Sequence, residues 1–218
     1  MLSLIIIILL SYLAGSIPTS IIISKKFFGF DIRTKGSGNA GGTNAFRILG
    51  WKAGIIVILI DIGKGVLATW LLAQIRIGGE DILGLEPVLV QLIAGIAAIL
   101  GHIWTIFAGF RGGKGVGTAA GVFLVLFPVP LLICFVVWAV VLLTGRIMSI
   151  ASMAAAICLP ITLFITKTYF ARPVHPVLLG VSVVLALLIV LTHRSNIKRL
   201  LNGTENRFAP IWKRTPRS

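Results

Sequence analysis

The feature that most constrains this chain is a succession of apolar stretches, most of them near twenty residues long, separated by short basic or glycine-rich segments. A helix rises about 1.5 Å per residue and the hydrocarbon core of a bilayer is about 30 Å thick, so a run of that length is what one crossing needs. The predicted segments are 2–24, 52–75, 87–108, 115–127, 129–144, 147–168 and 175–192. With 57% of its residues hydrophobic and only 12% charged, the chain has too little polar surface to cover a soluble domain. The expected fold class is therefore an all-α integral membrane protein of about seven transmembrane helices, two of them short. The short pair, 115–127 and 129–144, meets at Pro128 and Pro130 and reads as two thin spans or as one re-entrant hairpin.

A net charge of +14 could suggest a nucleic-acid partner, but its placement argues against one. Of the 20 Lys and Arg, sixteen fall into four groups: Lys25 to Lys52, Arg111 with Lys114, Arg146, and Arg194 to Arg217. The intervening segments around 76–86 and 167–175 hold Arg76, Lys167 and Arg172, with Glu80, Asp81 and Glu86. That alternation is the positive-inside bias; it puts the basic loops and the carboxyl tail in the cytoplasm and the amino terminus outside. Contact with anionic headgroups is compatible with it, and no nucleic-acid partner is expected. The opening run lacks a basic segment ahead of its apolar stretch and so reads as a first span rather than a signal peptide. Cys134 and Cys158 lie in apolar runs and act as small hydrophobes. The expected organisation is one membrane-embedded domain over 1–205 and a basic cytoplasmic tail over 206–218.

Three segments on the basic side carry more than loops need. The first, Gly36 to Arg47, contains G-x-G-x-x-G, but no strand or βαβ unit surrounds it, so a dinucleotide site is not indicated. Its glycines let backbone N–H groups approach an anion, Ser37, Asn39, Thr43 and Asn44 add neutral donors, and Arg47 adds a planar fork suited to phosphate. The plain alternative is a flexible linker. The second runs from Gly101-His102 to Thr118 through Gly112-Gly113-Lys114-Gly115. It meets only half of the P-loop pattern, yet its glycines lead into a helix start that attracts anions, and Lys114 supplies a point charge. Here the alternative is that Arg111 and Lys114 snorkel to the interface. His102 by itself reads as a hydrogen-bonded structural residue. The third, Thr192 to Glu205, places His193, Asn196 and Ile197 on one face if the last span continues straight, with Arg194 and Lys198 toward headgroups; the alternative is a basic stop-transfer tail.

Only six acids are present, and from the sequence no acid pair, metal cluster or Ser/His/Asp set can be assembled. Asp61 and Lys64 lie one turn apart within a span and most simply neutralise each other.

Taken together these segments resemble the bacterial acyl-phosphate:glycerol-3-phosphate acyltransferase family. GSGNxGxTNxxR is met in full by Gly36 to Arg47, and HRxNIxRLxxGxE by His193 to Glu205. In the middle segment Thr105 stands where the family usually has Pro, and Gly117 where it has Ala; Gly15-Ser16-Ile17-Pro18 also fits. The resemblance implies seven helices, a bacterial cytoplasmic membrane location and a pocket facing the cytoplasm. Acyl phosphate and glycerol 3-phosphate would be the substrates, with membrane lipids around them and an acyl-phosphate-supplying enzyme as a partner. No cofactor and no metal are implied. Carried onto this sequence, Ser37, Arg47, Lys114, His193 and Asn196 would be catalytic. Gly36, Gly38, Asn39, Gly41, Thr43, Asn44, Gly112, Gly113 and Gly115 would bind substrate, and Glu205 and His102 would be structural. A secondary transporter for an organic phosphate and an anionic-lipid scaffold are the rival classes. A transporter would keep its polar groups near the bilayer midplane, whereas here they crowd one face.

Overall fold

The computed structural model describes residues 1–79, 82–169 and 174–208. Glu80, Asp81, Arg172 and nearly all of the expected basic tail lie outside that range. The described residues are helical throughout, with no strand among them. Ten α-helices follow one another: α1 (Leu2–Ser16), α2 (Thr19–Phe28), α3 (Gly42–Ile48), α4 (Trp51–Val66), α5 (Pro87–Ile103), α6 (Val116–Leu126), α7 (Pro128–Gly145), α8 (Met148–Tyr169), α9 (Pro176–Thr192) and α10 (Arg194–Leu201). They fall into two compact units divided after Pro128.

Among the described residues five stretches are long and apolar enough to cross a bilayer: Leu2–Phe28, Trp51–Gln74, Pro87–Ala108, Pro128–Gly145 and Met148–Tyr169. A sixth is Pro176–Thr192 with Arg194–Leu201, if that bent pair counts as one. α6 has 11 residues and so extends about 16 Å, roughly half the hydrocarbon thickness. Of the two segments expected to be short, only this one is; α7 has 18 residues.

In the first unit the first span is broken rather than straight. Pro18 lacks an N–H and disfavours helix at Ile17, whose ψ is 113°, so α1 ends and α2 restarts at Thr19. A break in lipid must have its freed carbonyls satisfied by protein. Thr105 Oγ1 donates to Ser16 O, and Lys64 Nζ donates to Ile17 O at 2.5 Å. Glycines then bring helices to near backbone contact. A Cβ at Gly15 would overlap the Ala98 carbonyl, and one at Gly101 the Tyr12 carbonyl, which locks α1 on α5. Gly65 against Thr118 and Gly121 against Ile62 do the same for α4 and α6.

In the second unit α8 packs on α9, and the chain bends by 57° at His193 between α9 and α10. The last span therefore does not run on straight, as the shared face of His193, Asn196 and Ile197 assumed. Even so, His193 and Asn196 are both buried, at 2% and 5% exposure.

Candidate active site

The first glycine-rich segment is a loop wound around one side chain. Gly36 and Gly38 take left-handed conformations, with φ of 60° and 72°, and at Gly36 a Cβ would overlap Asn44 Oδ1. Asn44, only 2% exposed, accepts from Ser37 N at 3.0 Å and turns its amide to the carbonyls of Ile32, Lys35 and Asn39 at 3.1–3.2 Å. Its side chain is thus committed to the loop it belongs to, a brace rather than the substrate contact expected of it. Ser37, Asn39, Gly41 and Thr43 stay partly accessible around it, and Arg47 sits half-buried in the last turn of α3. We predict that Asn44→Asp, which swaps the donating amide for a carboxylate facing carbonyls, destabilises the protein by about 2 kcal/mol or more. Faster amide exchange across 36–40, with α5 unchanged, is the check.

The loop is also tied to the second glycine-rich segment. Arg33 donates to both Asp31 oxygens at 2.8–3.0 Å and to Ala108 O at 2.8 Å. The Arg33 hydrogen bond holds the Asp31 carboxyl well below the usual range, against the opposing effect of burial. Asp31 in turn raises Arg33. Ala108 joins the apolar cluster of Ile21, Ile32, Ala40, Ala45, Leu49 and Val57 beneath the loop.

The second segment turns back on the end of α5. Gly112 N donates to Ile103 O at 3.1 Å and Gly113 N to His102 O at 3.0 Å. These two amides are therefore engaged with protein. What Gly112 and Gly113 supply is closeness: a Cβ would overlap the His102 carbonyl at the first and the His102 ring at the second. Gly115, with φ of 84°, then starts α6, and Lys114 is half-buried just ahead of it.

The two segments meet at one small cavity of about 10 Å³, the room one water needs. Its lining takes in Ala40 from the first segment, His102, Thr105, Gly112 and Gly113 from the second, and Asp61 and Lys64 from α4. Lys64 Nζ lies 2.7 Å from Asp61 Oδ1, and the same oxygen has Thr19 Oγ1 at 3.4 Å and His102 Nδ1 at 3.6 Å. Sequence reading missed this His–Asp neighbourhood because 41 residues separate the partners. Among the described residues no three His, Cys, Asp or Glu side chains gather as a metal site would need.

The third segment belongs to the second unit. His193 Nδ1 lies 2.7 Å from Ile189 O, so that nitrogen carries the proton. Glu205 Oε1 accepts from Asn196 Nδ2 at 2.7 Å and Ser149 Oγ at 3.0 Å, and its Oε2 from Arg199 Nε at 2.7 Å. Glu205 is an anchor for α8 and α10, its carboxylate taken up by Asn196, Ser149 and Arg199.

The comparisons with known proteins agree over the whole length. The glycerol-3-phosphate acyltransferase family profile matches residues 5–203. A glycerol-3-phosphate acyltransferase from Chlorobium chlorochromatii is 44% identical over 230 residues, covering 96% of this chain and 98% of the relative. One from Salinibacter ruber is 45% identical over 213 residues, covering 95% of this chain and 93% of its own. The crystal structure of PlsY (YgiH), an integral membrane glycerol 3-phosphate acyltransferase, in its glycerol 3-phosphate form is similar with a TM-score of 0.82 at 37% identity, over 95% of this chain and 96% of that one. Its lysophosphatidic acid form gives 0.78 over 96% and 97%. On a match that runs from the first span through the third motif, this chain belongs to the glycerol-3-phosphate acyltransferase family.

Proposed function

We propose that the protein transfers a fatty acyl group from an acyl phosphate to the 1-hydroxyl of glycerol 3-phosphate, releasing lysophosphatidic acid and inorganic phosphate at the start of phospholipid synthesis. The observation that carries the reading is the meeting of two glycine-rich segments of the family pattern at one polar recess. Ser37, Asn39, Thr43 and Arg47 stand on one of them and Lys114 on the other. Two anionic substrates call for donors and cations and for few acids, which is the inventory these segments hold. The glycines let a substrate approach the backbone closely. The clustering of Lys and Arg supports a bacterial cytoplasmic membrane location with this face toward the cytoplasm. An enzyme that makes acyl phosphates would supply the donor.

In the reaction the glycerol 3-phosphate hydroxyl oxygen bonds to the acyl carbonyl carbon and the carbon–oxygen bond to phosphate breaks. The hydroxyl proton passes to an oxygen of the departing phosphate. Phosphate leaves readily, so little general-acid help is needed, and the protein contributes positioning and donors toward developing charge. His193 and Asn196 enter this proposal through the match of the third segment to the family pattern. A second mechanism makes His193 the base, and the anchoring of its Nδ1 at Ile189 O favours it, since that leaves Nε2 as the basic nitrogen.

Purified protein in detergent, given acyl phosphate and glycerol 3-phosphate, is expected to form lysophosphatidic acid without a sealed vesicle. No product would favour a transporter or scaffold. His193→Ala is expected to raise the substrate requirement while keeping ample turnover; near-total loss of kcat would instead favour His193 as base.

A further inference from the structure

We propose that Asp61 and Lys64 are positioning residues for glycerol 3-phosphate, fixing through His102 the Gly112–Gly113 return against which that substrate is held. The inference rests on the reading given under Proposed function, and all of its residues lie in the first unit.

Neither residue belongs to a family motif quoted above, and both are buried in a span, at 5% and 4% exposure. Charge in that position is costly and is retained where it does something specific. A pair serving only to neutralise itself would need no partner beyond its own turn of helix. This one reaches three other elements. Lys64 Nζ donates to the Ile17 carbonyl at the break before Pro18, an oxygen that also accepts from Thr19 N at 3.0 Å, besides meeting Asp61 at 2.7 Å. Asp61 Oδ1 faces Thr19 Oγ1 at the start of α2 and His102 Nδ1 on α5. The pair therefore sets where the His102 ring can stand.

That ring is the wall on which the return lies. A Cβ at Gly113 would overlap His102 Nε2, and the same histidine's carbonyl receives the Gly113 amide at 3.0 Å. One edge of the imidazole faces Asp61 and the opposite edge faces Gly113. A shift of the carboxylate changes the 3.6 Å contact on one edge of the ring, whose other edge bears on Gly113. Asp61 and Lys64 line the same recess as His102, Gly112 and Gly113, and the cluster acts there as a support for the loop.

The pair's chemistry also separates it from ordinary packing. Replacing a buried ion pair by apolar groups of similar size is often neutral for stability. A geometric role should then appear in substrate affinity more than in folding.

The test uses the full-length protein in detergent, with both substrates varied. Asp61→Asn, which keeps the shape and removes the charge, is expected to raise the KM for glycerol 3-phosphate about tenfold or more, with kcat and the acyl phosphate KM within about twofold. Lys64→Arg, which keeps the cation, is expected to stay near the unaltered enzyme. Should Asp61→Asn fail to fold, the double variant Asp61→Asn/Lys64→Met, with no unpaired charge, carries the same expectation. A normal glycerol 3-phosphate KM in a folded variant overturns the inference. So does a smaller active fraction with both KM values unchanged, or an equal rise in both, since each marks a merely structural pair. If the unaltered protein makes no lysophosphatidic acid, the underlying reading fails and takes this inference with it; an active parent enzyme with an indifferent variant sinks the inference alone.

Discussion

Gly112→Ala is expected to lower kcat/KM for glycerol 3-phosphate by about a hundredfold or more while the protein remains folded and inserted. The methyl group would overlap the His102 carbonyl oxygen and come within 2.9 Å of the Ile103 carbonyl oxygen. Both are backbone atoms at the end of α5, which its own ladder and the close contact of Gly15 with Ala98 hold in place. No rotamer change can relieve the overlap, so the return itself must lift, breaking the Gly112–Ile103 and Gly113–His102 hydrogen bonds. A displacement of about 1 Å in a substrate-positioning loop is enough for a loss of that order. Gly113→Ala should be milder, because its obstacle is a ring that can turn, though at the expense of the Asp61 contact. Gly63→Ala is the internal control: nothing lies within 4 Å of the added methyl and its backbone is helical, so activity should be near normal. Steady-state kinetics on the three variants, with size exclusion to confirm folding, decide it. Near-normal kinetics in Gly112→Ala would contradict the placement of the loop.

The contrast among these glycines also marks how far the sequence could be read. Glycine density at 36–42 and 112–117 announced close approach, but not what is approached. At Gly36 it is the Asn44 side chain, at Gly112 a helix carbonyl, at Gly121 the backbone of α4. Only the fold assigns those partners, because the first two depend on how a loop folds back on itself and the third lies on another span. The spans were legible for a simpler reason: hydrocarbon length fixes the number of apolar residues, and Trp51–Gln74, Pro87–Ala108 and Met148–Tyr169 follow the expected segments closely. The break at Ile17 and the bend at His193 were less visible. Pro18 does signal the first, but apolar continuity across 2–24 masks it, and at His193 no proline or glycine marks the bend. Asp61 was legible as paired with Lys64 at one-turn spacing. That the pair also meets His102 and the carbonyl of Ile17 is a tertiary fact with no local signature.

Asn44 shows the same limit within the first segment. A row of Ser, Asn and Thr beside glycine reads as a set of donors for a ligand, yet the most buried of them serves the loop's own carbonyls. In a loop, buried backbone groups that lack helix partners must be satisfied first. Ser37, Asn39 and Thr43 are the members of the row that stay partly accessible.

The second large effect concerns Glu205. Glu205→Ala is expected to destabilise the protein by about 3 kcal/mol, because it strands Arg199 and leaves the buried Asn196 amide and Ser149 hydroxyl without their acceptor. The side chain is 3% exposed, so solvent cannot replace those bonds. Glu205→Gln keeps the shape but not the charge and should fall between the two. Burial raises the Glu205 carboxyl, but hydrogen bonds from Asn196, Arg199 and Ser149 outweigh it, and the net position is below the usual glutamate range. A carboxyl lowered on folding contributes stability that is fully present above its unfolded pKa and is lost as pH falls through the folded value. The advantage of the unaltered protein over Glu205→Gln should therefore be full at pH 7 and shrink below about pH 4. Asp31 is lowered for the same kind of reason and weakens in acid too, but it does so in both proteins, so the difference isolates Glu205. Thermal unfolding in detergent at the two pH values measures it. No difference between the two proteins at pH 7 would mean that Glu205 acts through shape alone and that its charge is not what joins α8 to α10.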